Sequence, residues 1–216
     1  MTKRLFDIFF SLAGLLVLSP LLVLIAILIK TNSKGDVLFK QERVGQYGNT
    51  FTIYKFRTMV ENAEKKGKQI TVGADKRITT VGKILRKTKL DELAQLINVL
   101  KGEMSFVGPR PEVPKYVKHY TEEQRKILNA RPGITDYASI EFSNESEILG
   151  IANDPEKTYI NEIMPYKIKL NNKYLESISV LHDIKLIFLT FMKILGLIET
   201  KTEINKFLDD KSSLEL

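Results

Sequence analysis

A chain of 216 residues is long enough for one self-supporting core, and its 33 Lys and Arg against 26 Asp and Glu leave a formal charge of +7. That excess points to anionic partners: phosphorylated substrates, anionic lipid or nucleic acid. The absence of cysteine excludes disulfides, thiolate zinc sites and cysteine nucleophiles, and His119 and His182 stand too far apart in sequence for a local metal pair.

Between Ile8 and Ile29 there is no charged residue, a run of 22. A straight helix of that length spans about 33 Å, enough to cross a hydrocarbon core. Lys3 and Arg4 resemble the basic front of a secretory signal, but the run is too long and no small-x-small site follows it. A membrane segment is therefore expected, with a break at Ser19-Pro20, because proline lacks an amide donor and clashes with the carbonyl four residues back. Both flanks are basic: Lys3 and Arg4 precede the run, and Lys30, Lys34, Lys40 and Arg43 follow it. Positive residues prefer the cytoplasmic side, so a helix bent back at Ser19-Pro20 satisfies both flanks, whereas a proline-kinked single span satisfies one.

Beyond it, Val37 to Phe39 and Phe51 to Phe56 are β-rich runs around the turn-rich Gly45-Gln46-Tyr47-Gly48-Asn49, and read as a hairpin. The polar stretch 61–82, with Gly67, Gly73 and Gly82, is expected to hold a short helix and loops. A helix is predicted from about Leu90 to Leu100, with Leu90, Leu93, Ile97 and Leu100 on one face and Gly102 past its end. Thr121-Glu122-Glu123-Gln124 opens another with a capping-box pattern. Residues 183–198 form a further apolar helix, in the core or in a membrane surface, the surface being favoured; the charged tail after Thr200 is expected to fray. The expected fold is α+β and mostly helical. It comprises a helix-break-helix membrane segment (1–30), re-entrant or kinked, a main domain with a short hairpin and interfacial helices (31–200), and a tail (201–216).

The densest chemistry lies at Asp91-Glu92, preceded by Lys83, Arg86, Lys87 and Lys89. A carboxylate can attack phosphorus to give an acyl phosphate when Mg²⁺ and cations offset the charge repulsion, and its neighbour can handle protons or help hold the metal. Thr88-x-x-Asp91 is also a capping-box spacing, and on spacing alone that is the commoner use. Arg110, between Pro109 and Pro111, and Arg131, before Pro132, are held stiffly, which suits a guanidinium that grips phosphate; rigid turns with solvated arginines are the plain alternative. Lys55-Phe56-Arg57-Thr58-Met59 puts two cations at a strand end. The dinucleotide fingerprint is absent, and Gly82-Lys83 lacks the upstream glycine of a P-loop.

In order along the chain, the Ser19-Pro20 break, Gln41-x-Arg43-x-Gly45, Lys55-Phe56-Arg57-Thr58-Met59, Leu90-Asp91-Glu92-Leu93, Asn98 through Pro111 and Arg131-Pro132-Gly133-Ile134-Thr135 resemble the small monotopic phosphoglycosyl transferases. These are the bacterial sugar transferases that begin lipid-linked glycan assembly, and the likeness runs from Lys3 to about Ile194. It implies a membrane helix that enters, breaks and returns at the bacterial inner membrane, leaving the catalytic domain on the cytoplasmic face. It further implies Asp91 as nucleophile on a UDP-sugar, UMP as leaving group, and a covalent phosphosugar passed to polyprenol phosphate of the undecaprenyl type. Glu92 is the implied partner in metal binding or proton transfer, with Mg²⁺ on Asp91. Arg86, Arg110 and Arg131, with Lys55 and Arg57, would hold phosphates or base. Two positions depart from the family pattern: Asp136-Tyr137-Ala138-Ser139 stands where Gly-Trp-Ala-Gln is common, and Asn171 where an aspartate is frequent. The rival reading is a membrane-tethered basic adaptor without catalysis. Nucleic-acid binding is disfavoured because the basic residues cluster beside carboxylates instead of forming a basic stripe.

Overall fold

The computed structural model describes residues 2–63, 75–176 and 178–198; the stretch around Gly67 and Gly73 and the tail 201–216, with its expected fraying, lie outside them. Helices α1 (Thr2–Val17) and α2 (Ser19–Asn32) meet at a bend of 61°. Pro20 has no N–H for the carbonyl of Leu16, and the Ser19 hydroxyl donates to that oxygen instead, at 2.8 Å. Among the described residues no single helix is long and apolar enough to cross a membrane; the bent pair together has the length and composition. One side of the pair is open, with Leu5, Phe9, Leu16, Val17, Val23 and Ile27 exposed. On the other, Ile25 and Ile29 pack with Phe56, Leu85 and Ala94 in a shared core.

Polar side chains at the start of α1 tie it to the rest of the chain. Arg4 donates to the carbonyls of Val99 and Leu100 at 2.6 and 2.8 Å, capping a helix end that would otherwise leave them unpaired. Buried Asp7 accepts from the Ser105 hydroxyl and the Phe106 amide, at 3.0 and 3.2 Å. Lys3 pairs with Asp183 and donates to the Tyr174 hydroxyl.

The expected hairpin is present: β1 (Leu38–Val44) runs antiparallel to β2 (Thr50–Phe56), in register from Leu38 opposite Phe56 to Val44 opposite Thr50. Helix α3 (Thr80–Lys87) follows, its Gly82 amide donating to the Thr79 hydroxyl. Gly82 lies so close to the strand end that a Cβ would sit 2.0 Å from the Thr58 carbonyl oxygen, so only glycine fits.

The single helix expected over 90–100 is instead a 3-10 turn, Leu90–Gln95, running into α4 (Leu96–Lys101). Nor is its apolar face the deepest. Leu90, Leu93, Ile97 and Leu100 are half-buried, whereas Asp91, Glu92, Gln95 and Asn98 are buried. The segment is covered on two sides, by α1 and by β2, so its polar face needs partners: Asn98 accepts from the Tyr54 amide and donates to the Thr52 carbonyl, at 3.0 and 2.7 Å.

A second sheet was not expected. β3 (Ser105–Val107) and β4 (Gly133–Thr135) are parallel and three residues each, too short to show an alternation. Between and after them lie α5 (Pro114–Val117), α6 (Glu122–Arg125), α7 (Tyr137–Glu141), α8 (Glu145–Ile151), α9 (Pro155–Thr158) and, after a π turn, α10 (Met164–Leu175). Both bonds of the expected capping box at Thr121 and Gln124 form. These helices enclose a core around Tyr116, Phe142, Leu149 and Ile163. The last apolar helix, α11 (Val180–Ile194), buries Leu186 and leaves Leu181, Ile184, Phe188 and Phe191 exposed, so it is a surface helix with an apolar outer face. The architecture is thus α+β and mostly helical.

Candidate active site

Beyond α3 the chain turns through Lys89 in the left-handed region (φ 56°), a conformation that costs a non-glycine residue energy and recurs at functional sites. That turn separates Thr88 from Asp91. The Thr88 hydroxyl donates back to the Ile84 carbonyl at 2.8 Å, and the 3-10 turn has no side-chain cap. The capping use of Thr88-x-x-Asp91 is therefore not realised.

Asp91 and Glu92 both have 8% of their surface exposed, yet their environments differ. Glu92 is fully engaged: Oε1 accepts from Lys55 Nζ at 2.8 Å and Arg110 Nη2 at 2.5 Å, and Oε2 from Arg110 Nη1 at 3.2 Å. Burial alone would raise its carboxyl, but Arg110 and Lys55 outweigh that and hold it well below the usual range. The Glu92 charge raises Arg110 in turn. Burial pulls the Lys55 ammonium down to about 8 against the opposing pull of Glu92. Asp91 has no such clamp. Its buried Oδ1 has no hydrogen-bond partner among the described residues, and burial raises its carboxyl, with Lys55 opposing and Glu92 adding to the rise. Two neighbouring carboxylates are thus split into one fixed anion and one uncommitted oxygen, a pattern of separated roles.

Both lie in a cleft of about 1270 Å³ that Lys55, Arg57, Arg86, Lys87, Lys89 and Arg110 also line. A pocket for one small ligand holds about 300–1,000 Å³, so two substrates have room here. Of the phosphate-gripping candidates, the fold brings Arg86, Arg110, Lys55 and Arg57 to the Asp91 cleft. Arg131 is not among the cleft residues; its carbonyl packs against Gly108 where β3 and β4 meet.

The two departures from the family pattern meet in space. Asn171 Nδ2 donates to Asp136 Oδ2 at 2.7 Å; the same oxygen accepts the Arg110 amide at 3.0 Å, and Asp136 Oδ1 the Ser139 amide at 2.6 Å. Asp136 is completely buried, and it fixes the backbone of the arginine that clamps Glu92. Positions 35 apart in sequence carry no local signal of such a pair. The only cue was that both positions departed together.

A family model described as bacterial sugar transferase matches residues 1–196. The chain is 39% identical over 198 residues to the UDP-N-acetylgalactosamine-undecaprenyl-phosphate N-acetylgalactosaminephosphotransferase of Aeromonas hydrophila, covering 89% of this chain and 43% of that protein. It is 36% identical over 193 residues to the uncharacterized sugar transferase EpsL of Bacillus subtilis strain 168, covering 89% and 87%. To the UDP-glucose:undecaprenyl-phosphate glucose-1-phosphate transferase of Klebsiella pneumoniae it is 39% identical over 196 residues, covering 88% and 39%. The chain therefore spans less than half the length of the Aeromonas and Klebsiella relatives. The chain belongs to the bacterial sugar transferase family.

Proposed function

We propose that this chain transfers a sugar 1-phosphate from a UDP-sugar to polyprenol phosphate of the undecaprenyl type, releasing UMP. The observation that carries this reading is the unpartnered, buried Asp91 Oδ1 beside a Glu92 whose charge Lys55 and Arg110 already neutralise. In the first step the Asp91 carboxylate attacks the sugar-bearing phosphorus, an acyl phosphate forms, and the bond to the UMP phosphate breaks. In the second a phosphate oxygen of the lipid attacks the same phosphorus and frees Asp91, giving a polyprenyl diphosphate sugar. Arg86, Lys87 and Lys89 offset the repulsion between carboxylate and diphosphate.

Mg²⁺ fits this donor set at Asp91. It commonly binds through one or two carboxylates and completes its shell with substrate phosphates and water. The free Asp91 Oδ1 offers such a carboxylate, whereas both Glu92 oxygens are engaged, which gives Glu92 an electrostatic role. Bound there, the ion would neutralise charge on the diphosphate.

The bent α1–α2 pair and the apolar outer face of α11 support insertion from one side of the membrane. With both flanks of the apolar run basic, the side is cytoplasmic and the membrane the bacterial inner one. The test incubates detergent-solubilised protein with Mg²⁺, a short polyprenol phosphate and a panel of UDP-sugars, and measures UMP. Native protein releases UMP and Asp91→Asn does not. UDP in place of UMP would mean transfer of the sugar alone, and lipid binding without nucleotide release would mean a tethered adaptor.

A further inference from the structure

Arg57 is 8% exposed, yet it forms no ion pair among the described residues. Its Nη2 donates to the Ser33 carbonyl and hydroxyl at 2.8 and 3.0 Å, while Nε and Nη1 are buried without a hydrogen-bond partner among the described residues. A guanidinium taken out of water with two idle donor nitrogens is expensive, and such groups are normally matched by an anion. The place is specific. Ser33 caps the end of α2, where the apolar bent pair gives way to the cleft that also holds Asp91. Lys55, which contacts Glu92, lies two residues earlier on the same face, about 7 Å along the strand. Gly35, in the left-handed region (φ 109°), packs its backbone directly on the guanidinium: a Cβ there would sit 2.1 Å from Arg57 Nη1 and 3.2 Å from the carboxyl carbon of Glu61, an exposed acid that forms no ion pair with Arg57 among the described residues. Lys30, the last cation of α2, holds the Gly35 carbonyl at 3.0 Å.

We infer that Arg57 is the docking point for the phosphate monoester of the lipid acceptor, separate from the residues that hold the nucleotide donor. This rests on the transfer reading above. A polyprenol chain lying along the bent pair brings its phosphate to the end of α2, between Arg57 and Asp91. There an unesterified oxygen attacks the phosphosugar: the lipid O–P bond forms, the Asp91 O–P bond breaks and the carboxylate is regenerated. The donor, arriving from solution, is held by Arg86 and Arg110 in the same cleft.

The two half-reactions separate the sources of phosphate. Protein with Mg²⁺ and UDP-sugar alone reports the donor step as a stoichiometric burst of UMP; added polyprenol phosphate reports the acceptor step as turnover. In Arg57→Gln the loss falls on turnover, with the KM for polyprenol phosphate raised about ten- to hundred-fold and the burst amplitude kept; Arg57→Lys loses less. A lost burst would place Arg57 on the donor side, and unchanged kinetics would leave it without a ligand; either overturns the inference. Equal losses in both steps together with a lower unfolding temperature would make it a strut to Ser33. If native protein gives no burst, the two-step reading fails, and binding of a short polyprenol phosphate without donor decides the role of Arg57 independently. Weaker binding in Arg57→Gln supports it. Unchanged binding, or displacement by inorganic phosphate at equal concentration, overturns it.

Discussion

Replacing Asn171 by aspartate exchanges a side-chain donor to Asp136 Oδ2 for an acceptor. The amide now sits 2.7 Å from that oxygen, inside a site where Asp136 is completely buried. Two charges at that separation repel by about 6 kcal/mol at an effective dielectric constant near 20. Protonating the introduced carboxyl costs less. From an unfolded value of about 3.9, it costs about 1.4 kcal/mol per pH unit, or about 4 kcal/mol at pH 7. Protonation therefore wins, and the neutral acid donates its own hydrogen to Asp136. The folded state then binds one proton more than the unfolded state above about pH 4, so the variant loses stability as pH rises and approaches native behaviour as pH falls. For a chain of this size the penalty at pH 7 lowers Tm by about 8–16 °C. Scanning fluorimetry of Asn171→Asp and native protein in one detergent, from pH 5 to 7.5, reads the difference at each pH. A gap that stays constant across the range refutes the reasoning, whatever its size.

Lys55, whose ammonium is pulled down to about 8, is charged below that pH and neutral above it. The cleft thus loses a cation beside Glu92 as pH rises past about 8, and kcat/KM falls there; Lys55→Arg removes this alkaline limb, and an unchanged profile would show that Lys55 does not control it. Gly82→Ala must move either α3 or the Thr58 backbone, because the added Cβ would sit 2.0 Å from a carbonyl oxygen; a loss of about 1–3 kcal/mol is expected in unfolding measurements, and a neutral result would mean that α3 shifts freely.

Local patterns reach as far as local physics does. The break at Ser19-Pro20, the hairpin around residues 45–49 and the capping box at Thr121 each depend on residues within about one turn of one another, and all three form as read. The carboxylate pair was also legible, because Asp91 and Glu92 are adjacent and preceded by cations within eight residues. The helix over 90–100 was misjudged for a related reason. A periodic pattern assumes one buried face, and this segment is covered from two sides.

Long-range pairing decided the rest. Lys3 and Arg4 read as flanking charges of a membrane segment, yet one pairs with Asp183 and the other caps α4, contacts spanning 180 and about 95 residues. The difference between Asp91 and Glu92 is likewise invisible locally, since Lys55 and Arg110 reach Glu92 across 37 and 18 positions and leave Asp91 Oδ1 unclaimed. The sequence by itself determined the apolar run, its break, the basic excess and the acidic pair, because these are properties of neighbouring residues. Only the tertiary structure decided which carboxylate is neutralised, which is free and which arginines face them, because burial and charge pairing arise when distant segments exclude water from one another.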